Sequence, residues 1–161
     1  MNAEAPRWLD EQEMSTWMAL LCVMTWLPHE LDAQLQRDAG ISHFEYGLLA
    51  QLSASPNDEA RISDLARVGN GALPRVSKAL DRFEQHGWIT RRPDPSDGRY
   101  TLATLTPEGR ALVERTAPGH VEQVRRLVFD RLTPSQVRQL GRIAGTIEAA
   151  VRPAPRSRLR P

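Results

Sequence analysis

Two short helical patterns joined by a glycine-containing turn constrain the fold of this chain more than any other feature of its sequence. The first is SDLARVG, which begins at Ser63 or Asp64, and the second is ALPRVSKALDRFEQHG, which follows Asn70 and Gly71. Pro74 is tolerated near the start of the second helix because the first helical turn has no internal backbone donors to lose. Two short helices with a tight turn between them predict a helix-turn-helix.

A β-hairpin pattern follows this pair of helices directly. In the segment WITRRPDPSDGRYTLATLT, a β-prone stretch from Trp88 to Thr90 precedes a tip of turn-forming residues, and alternating residues from Tyr100 to Leu105 follow it. A hairpin in this position predicts the winged form of the helix-turn-helix.

The second helix of the motif has two chemically different faces. Val76, Leu80 and Phe83 share an apolar face, which we expect to be buried. The opposite face suits the major groove of DNA, where arginine and lysine donate to guanine, while Ser77 and the helix amino terminus reach phosphates. A solvated cationic face explains the same pattern, since many exposed helices carry three basic residues. The basic residues of this face are Arg75, Lys78 and Arg82.

Arginines also cluster on the predicted hairpin, at Arg91, Arg92 and Arg99. A loop that carries arginine beyond such a helix is positioned to enter the adjacent minor groove, where negative potential is concentrated. Asp97 can accept a charge-assisted hydrogen bond that fixes the direction of the Arg99 guanidinium. The alternative is an ordinary Asp-Gly turn beside a solvated arginine.

A long helix is predicted before the motif. Asp10 and Glu13 form a capping box for a helix that runs to about Arg37, and Gly40 supplies its left-handed end. This helix carries two apolar stripes, so we expect it to pack on its own subunit and against another chain.

Shorter elements complete the pattern. Ser42 and Glu45 cap a short helix, and the segment SASPNDEA after it has the composition of an irregular loop. The Thr-Pro pairs at 106–107 and 133–134 open a helix of about 24 residues and a last helix through Val151.

Charge is distributed unevenly along the chain, although the net charge is only +1. Residues 1–60 hold ten acidic and two basic side chains, residues 61–100 five acidic and eight basic, and residues 101–161 five acidic and eleven basic. Such segregation often accompanies a face that binds polyanions, and a solvated basic surface is the alternative.

We expect a cytoplasmic protein without a transmembrane helix. The longest apolar stretch, 18–27, is shorter than the roughly 20 residues of a membrane span. The acidic amino terminus lacks the basic region of a secretory signal. The single cysteine, Cys22, forms no internal disulfide, which agrees with a reducing compartment.

With these motifs in place, the segment from Leu65 to Arg110 resembles the DNA-binding core of the MarR family of regulators. The recognition-helix pattern V-S-[RK]-x-x-D-R-x-E-x-x-G matches residues 76–87, the wing pattern D-x-R matches residues 97–99, and the exit pattern L-T-x-x-G matches residues 105–109. The segment PGHVEQVRRLVFDRLT and the use of 20 Arg against one Lys resemble an actinobacterial subgroup of that family.

The resemblance implies an obligate homodimer with interleaved terminal helices. It also implies that Arg75, Ser77 and Lys78 face bases or phosphates and that Arg99 is a minor-groove arginine. Gly98 departs from the family pattern, which often has a basic residue there, and Ala72 replaces a usual serine in the turn. The candidate DNA-binding residues are Pro74, Arg75, Ser77, Lys78, Arg82, Arg91, Arg92, Asp97 and Arg99.

Sequence signals for an effector are weaker. Because Met18 and Trp26 flank Cys22, a buried structural cysteine is favoured over a redox sensor. The four histidines lack the short spacing of a metal site, so we expect no metal and no cofactor. Aromatic residues are more often core than pocket, but a site for a small aromatic or lipophilic effector would use Trp17, Trp26, Tyr46 and His120.

The sequence therefore predicts a mainly α fold with a small β-wing. We expect a dimerisation helix over 1–40, a winged helix-turn-helix over 41–106, dimerisation helices over 107–151 and a disordered basic tail over 152–161. No catalytic constellation is present, so an enzyme is not expected. The predicted function is a homodimeric DNA-binding regulator, with a protein-interaction module or an effector-independent DNA binder as alternatives.

Overall fold

The structure is a computed structural model that describes residues 6–68 and 73–151. The predicted turn at Asn70 and Gly71, the departure at Ala72 and the predicted tail over 152–161 lie outside these residues. The chain divides into two compact units, with the boundary between Gln123 and Val124. No helix in the described ranges combines the length and the apolar character needed to cross a bilayer.

Six α-helices and three short strands account for most of the described residues, so the predicted fold class is confirmed. In chain order the elements are α1 (Glu11–Ala39), α2 (His43–Ser53), β1 (Glu59–Arg61), α3 (Ile62–Val68), α4 (Leu73–Gln85), β2 (Ile89–Pro93), β3 (Thr101–Leu105), α5 (Pro107–Leu127) and α6 (Pro134–Val151). Short 3₁₀ turns at Pro56–Asp58 and Phe129–Arg131 precede β1 and α6.

The predicted helix caps are confirmed. Asp10 accepts from the Glu13 backbone N–H at 2.7 Å, and Glu13 in turn accepts from the Asp10 backbone N–H. Gly40 closes α1 in the left-handed conformation with φ 66°. The same two-way capping holds for α2 and α6, so three helix starts are fixed by local side-chain chemistry.

The end of α4 is equally well defined. Gly87 has a φ of 71°, and its N–H donates to the Glu84 carbonyl, while the Trp88 N–H donates to the Phe83 carbonyl. This is a Schellman motif, which needs a left-handed residue that glycine adopts without strain. The chain therefore turns sharply from α4 into the wing.

The wing belongs to a three-stranded antiparallel sheet with the order β1-β3-β2. Pairing of Ile89 with Leu105 and of Pro93 with Thr101 makes the predicted hairpin. The expectation of an irregular loop over SASPNDEA is wrong at its end, because Glu59–Arg61 pairs with the other edge of β3. Three residues are too few to show the alternation that identifies a strand.

The core of the first unit is formed by α2, α3, α4 and the sheet, together with the second half of α1 and the start of α5. Val76, Leu80 and Phe83 of α4 are completely buried, as predicted. A side chain at Gly109 would collide with the Trp88 carbonyl oxygen, so glycine lets α5 start directly against the base of the wing. The inner face of α4 is thus packed against this core.

Large apolar side chains remain exposed on the first half of α1 and, in the second unit, on α6. Cys22 also lies in this exposed part of α1, so the expectation of a buried cysteine is wrong within one chain. The exposed apolar residues of these two helices are Met14, Trp17, Met18, Val23, Met24, Trp26, Leu140, Ile143, Ile147 and Val151.

Candidate nucleic-acid interface

The outer face of α4 begins with exposed residues. Leu73 is 57% exposed, Pro74, Arg75 and Lys78 are also exposed, and Ser77 is half-buried. The Arg75 guanidinium lies 4.0 Å from the centre of the Phe44 ring on α2, which supports it through a cation–π contact. Neither Arg75 nor Lys78 forms an ion pair within the described residues, so both charges are available to an anion.

Arg82 is 40% exposed, but its guanidinium is held by two contacts within the protein. Its Nη1 donates to Glu45 Oε1 at 2.7 Å and its Nη2 donates to the Gly40 carbonyl at 2.8 Å. Burial alone would raise the pKa of Glu45, but hydrogen bonds from Ser42 and Arg82 outweigh this and lower it. Arg82 therefore connects α4 to the capping box of α2.

Arg91 and Arg92, on β2, also have carboxylate partners. Arg91 reaches back to α4, where its Nη1 lies 2.8 Å from Asp81 Oδ1 and its Nε donates to Glu84 Oε2 at 2.9 Å. Arg92 donates to Glu59 of β1 at 2.8 Å. These two arginines thus join strands and helix within the winged domain.

Arg99 differs from them, because it projects from the tip of the wing. Its Nε and Nη2 donate to the two oxygens of Asp97 at 2.9 and 2.7 Å, which is the hydrogen bonding expected from the sequence. The side chain of Arg99 is nevertheless 85% exposed. The side-chain hydrogen bond from Arg99 is the main cause that lowers the pKa of Asp97 to about 2. The pair presents an oriented, exposed guanidinium.

A second acid, Asp94, holds the base of the tip in place, and the sequence did not indicate this role. It is buried, accepts from the hydroxyl and N–H of Ser96, and accepts from Arg61 Nε at 2.7 Å. The Arg61 guanidinium also lies 4.4 Å from the centre of the Tyr100 ring. Hydrogen bonds, first those from Ser96, lower the pKa of Asp94 to about 2. Because β1 was not foreseen, nothing in the sequence placed Arg61 beside the wing.

Two of the four effector candidates come together. The rings of Tyr46 and His120 are 4.6 Å apart, and His120 Nδ1 lies 3.2 Å from Gln34 Oε1. Trp17 and Trp26 lie on the same continuous helix as Gln34, roughly 25 and 12 Å away along its axis at ~1.5 Å per residue. In the described ranges no three histidine, cysteine or acidic side chains converge as a metal site would require.

Both the sequence and the fold match those of known proteins. The sequence model of the MarR family matches residues 41–101. The first curated relatives include the multiple antibiotic resistance protein MarR of Salmonella typhimurium, 36% identical over 74 residues, and the chain spans about half of its length (51%). The HTH-type transcriptional repressor Rv2887 of Mycobacterium tuberculosis is 34% identical over 65% of this chain and 73% of its own.

Solved structures agree over a longer part of the chain. Sco3205, a MarR family transcriptional regulator from Streptomyces coelicolor crystallised in complex with DNA, is 43% identical. It matches with a TM-score of 0.89 over 94% of this chain and 95% of its own. AbsC, a MarR family regulator from the same organism, is 33% identical, with a TM-score of 0.86 over 91% and 99%.

Proposed function

The chain belongs to the MarR family, and from this premise we propose that it is a homodimeric transcription regulator that binds double-stranded DNA through α4 and the wing. One observation carries the proposal. A helix whose inner face is completely buried presents Arg75 and Lys78 outward, beside a wing that holds Arg99 in a fixed orientation.

In this proposal α4 enters the major groove. Lys78 donates to base edges, and Arg75, Ser77 and Pro74 at the start of the helix lie along the phosphates. The wing places Arg99 in the adjacent minor groove, where its bidentate contact with Asp97 limits the side-chain entropy lost on docking.

The exposed apolar side chains of α1 and of α6 support the pairing of two chains. We assign residues 1–40 and 107–151 to dimerisation and residues 41–106 to DNA binding. A twofold dimer places its two recognition helices about 34 Å apart, one turn of DNA, so the operator would be a pseudo-palindrome. Repression is the favoured output, because curated relatives such as Rv2887 and YetL of Bacillus subtilis are named repressors.

We further propose that the protein acts in the cytoplasm by binding rather than by catalysis. A small aromatic or lipophilic effector that changes the spacing of the two recognition helices would release both half-sites together. Within the described residues, contact between Tyr46 and His120 supports only a part of the effector site that the sequence suggested.

The proposal is tested by selecting bound fragments from the host chromosome and measuring gel shifts on the selected and on random DNA over a salt series. Wild-type protein should prefer the selected DNA. Lys78→Ala should lose more affinity on selected than on random DNA, by about tenfold if Lys78 reads a base. Arg99→Ala should weaken binding to both and reduce the salt dependence, because it removes a charge near phosphates.

Each alternative has its own outcome in the same experiment. A protein that binds no duplex at low salt would favour the protein-interaction module. Equal affinity for selected and random DNA would favour an architectural binder. Equal losses for Lys78→Ala on both DNAs would reduce Lys78 to a phosphate contact.

A further inference from the structure

The recognition helix carries two acids as well as its basic residues. Asp81 and Glu84 continue the row of Pro74 and Ser77 along α4, at spacings of three and four residues. Their side chains are 54% and 42% exposed. If α4 lies in a groove of DNA, these carboxylates come close to phosphates, and like charges at short range repel strongly where water is excluded.

Arg91 faces these two acids. It donates to Glu84 through both Nε and Nη2 and lies within 2.8 Å of Asp81, and at 26% exposed it is more buried than either partner. Hydrogen bonding to Arg91 is the largest cause that lowers the pKa of Glu84, and the same bond raises the pKa of Arg91. Glu84 and Arg91 therefore both stay charged, and the donors of Arg91 are directed at the helix.

We propose that Arg91 is a positioning residue of the DNA interface, which acts by neutralising Asp81 and Glu84 and does not itself contact DNA. The inference rests on the proposed DNA-binding function and revises the expectation that Arg91 binds DNA directly. It separates Arg91 from Arg99, whose acidic partner belongs to the same wing tip and whose guanidinium is exposed.

A double-mutant cycle tests this role. Arg91→Ala should weaken binding to selected DNA about tenfold, because two uncompensated carboxylates then face the phosphates. The pair Asp81→Asn and Glu84→Gln removes those charges, and in this background Arg91→Ala should cost less than about threefold, which is strong coupling. Arg92→Ala is the matched control, since its partner Glu59 lies on β1, and its effect should be the same in both backgrounds.

Two results would overturn the inference while leaving the proposed function standing. An undiminished loss for Arg91→Ala in the acid-free background, with a salt slope reduced by about one phosphate contact, would make Arg91 a direct ligand of DNA. An undiminished loss with an unchanged slope and a lower Tm would make its role one of folding alone. Failure of the wild-type protein to bind any duplex would overturn the proposed function itself, and this inference with it.

A measurement on the free protein tests the contact between Arg91 and Glu84 independently of DNA binding. In the free protein, an NMR titration should place the pKa of the Glu84 carboxyl below its usual range, and Arg91→Ala should raise it. An unchanged Glu84 pKa in Arg91→Ala would contradict the neutralising contact whether or not the protein binds DNA.

Discussion

The winged domain differs from the first half of α1 and from α6, here called the exposed helices, in how its apolar side chains are covered. In the winged domain, the apolar face of α4 is buried, and Arg82, Arg91 and Arg92 are paired with carboxylates of the same chain. The first half of α1 and, in the second unit, α6 present large apolar residues to solvent, among them Trp26 and Ile143. Contiguous exposed apolar surface is uncommon on monomeric proteins and marks interfaces.

This difference implies that the winged domain is stabilised within one chain and that the exposed helices are stabilised by association. The apolar face of α4 is buried by residues of its own chain, so a substitution on that face should change the stability of the single chain. The large apolar side chains of the exposed helices are not buried among the described residues, so a substitution there should change the affinity of one chain for another. If both kinds of substitution changed the free energy of unfolding with the same dependence on protein concentration, the two regions would not differ in this way.

The largest effect is expected in the winged domain. Phe83→Ala removes a completely buried ring and leaves a cavity, which should lower the free energy of unfolding by about 3–5 kcal/mol. Urea denaturation at several fixed protein concentrations measures this, and the loss should be the same at each. Leu73→Ala, on the exposed side of the same helix, is the control and should cost less than about 0.5 kcal/mol. A Phe83→Ala loss as small as the control would contradict the buried core.

A smaller effect, of a different kind, is expected on α6. Ile143→Asp places a charge in the proposed dimer interface and should weaken self-association by about 100-fold or more, measured by sedimentation equilibrium. Ala149→Asp introduces the same side chain on the opposite face of α6 and is the matched control. Unchanged association of Ile143→Asp would show that this face is not the interface.

Most features that depend on residues close together in the sequence were predicted. Capping boxes such as Ser42 with Glu45 depend on residues three apart, and the two faces of α4 depend on helical periodicity, so both were visible without a structure. Apart from Asp97 beside Arg99, the carboxylate partners of the basic residues were not visible in the sequence. Glu45 is 37 residues from Arg82, and Arg61 is 33 residues from Asp94, and only the fold brings each pair together.

The two apolar stripes of α1 predicted contact with another chain, but the sequence did not show which part of the helix its own chain leaves exposed. The stripe that contains Cys22 and Trp26 has the composition of a buried surface, but none of the described residues of the first unit covers it. Periodicity shows that a face is apolar and leaves open which molecule buries it.

The smallest effect is expected at a cluster that joins the buried half of α1 to α2 and α5. His120 packs on Tyr46 and lies 5.6 Å from His43, while Gln34 links its ring to Asp38. Burial, and then the nearby His43, lower the pKa of His120 below its ordinary value of 6.5. The folded chain therefore binds this proton less readily than the unfolded chain does.

The sign of the pH dependence follows from that difference. Well above pH 6.5 His120 is neutral in both states. As the pH falls from 6.5 toward the lowered pKa of the folded state, protonation of the unfolded chain reduces the free energy of unfolding, and below that pKa this decline ends because the folded chain is protonated too. Urea denaturation between pH 7.5 and 5 (about the range of histidine titration) should show a shallower decline for His120→Asn than for wild type. Because the cluster lies within one chain, this difference should not vary with protein concentration. Identical declines for wild type and His120→Asn would remove His120 from the residues that couple protonation to folding, and a concentration-dependent difference would place the cluster on the associating side of the molecule.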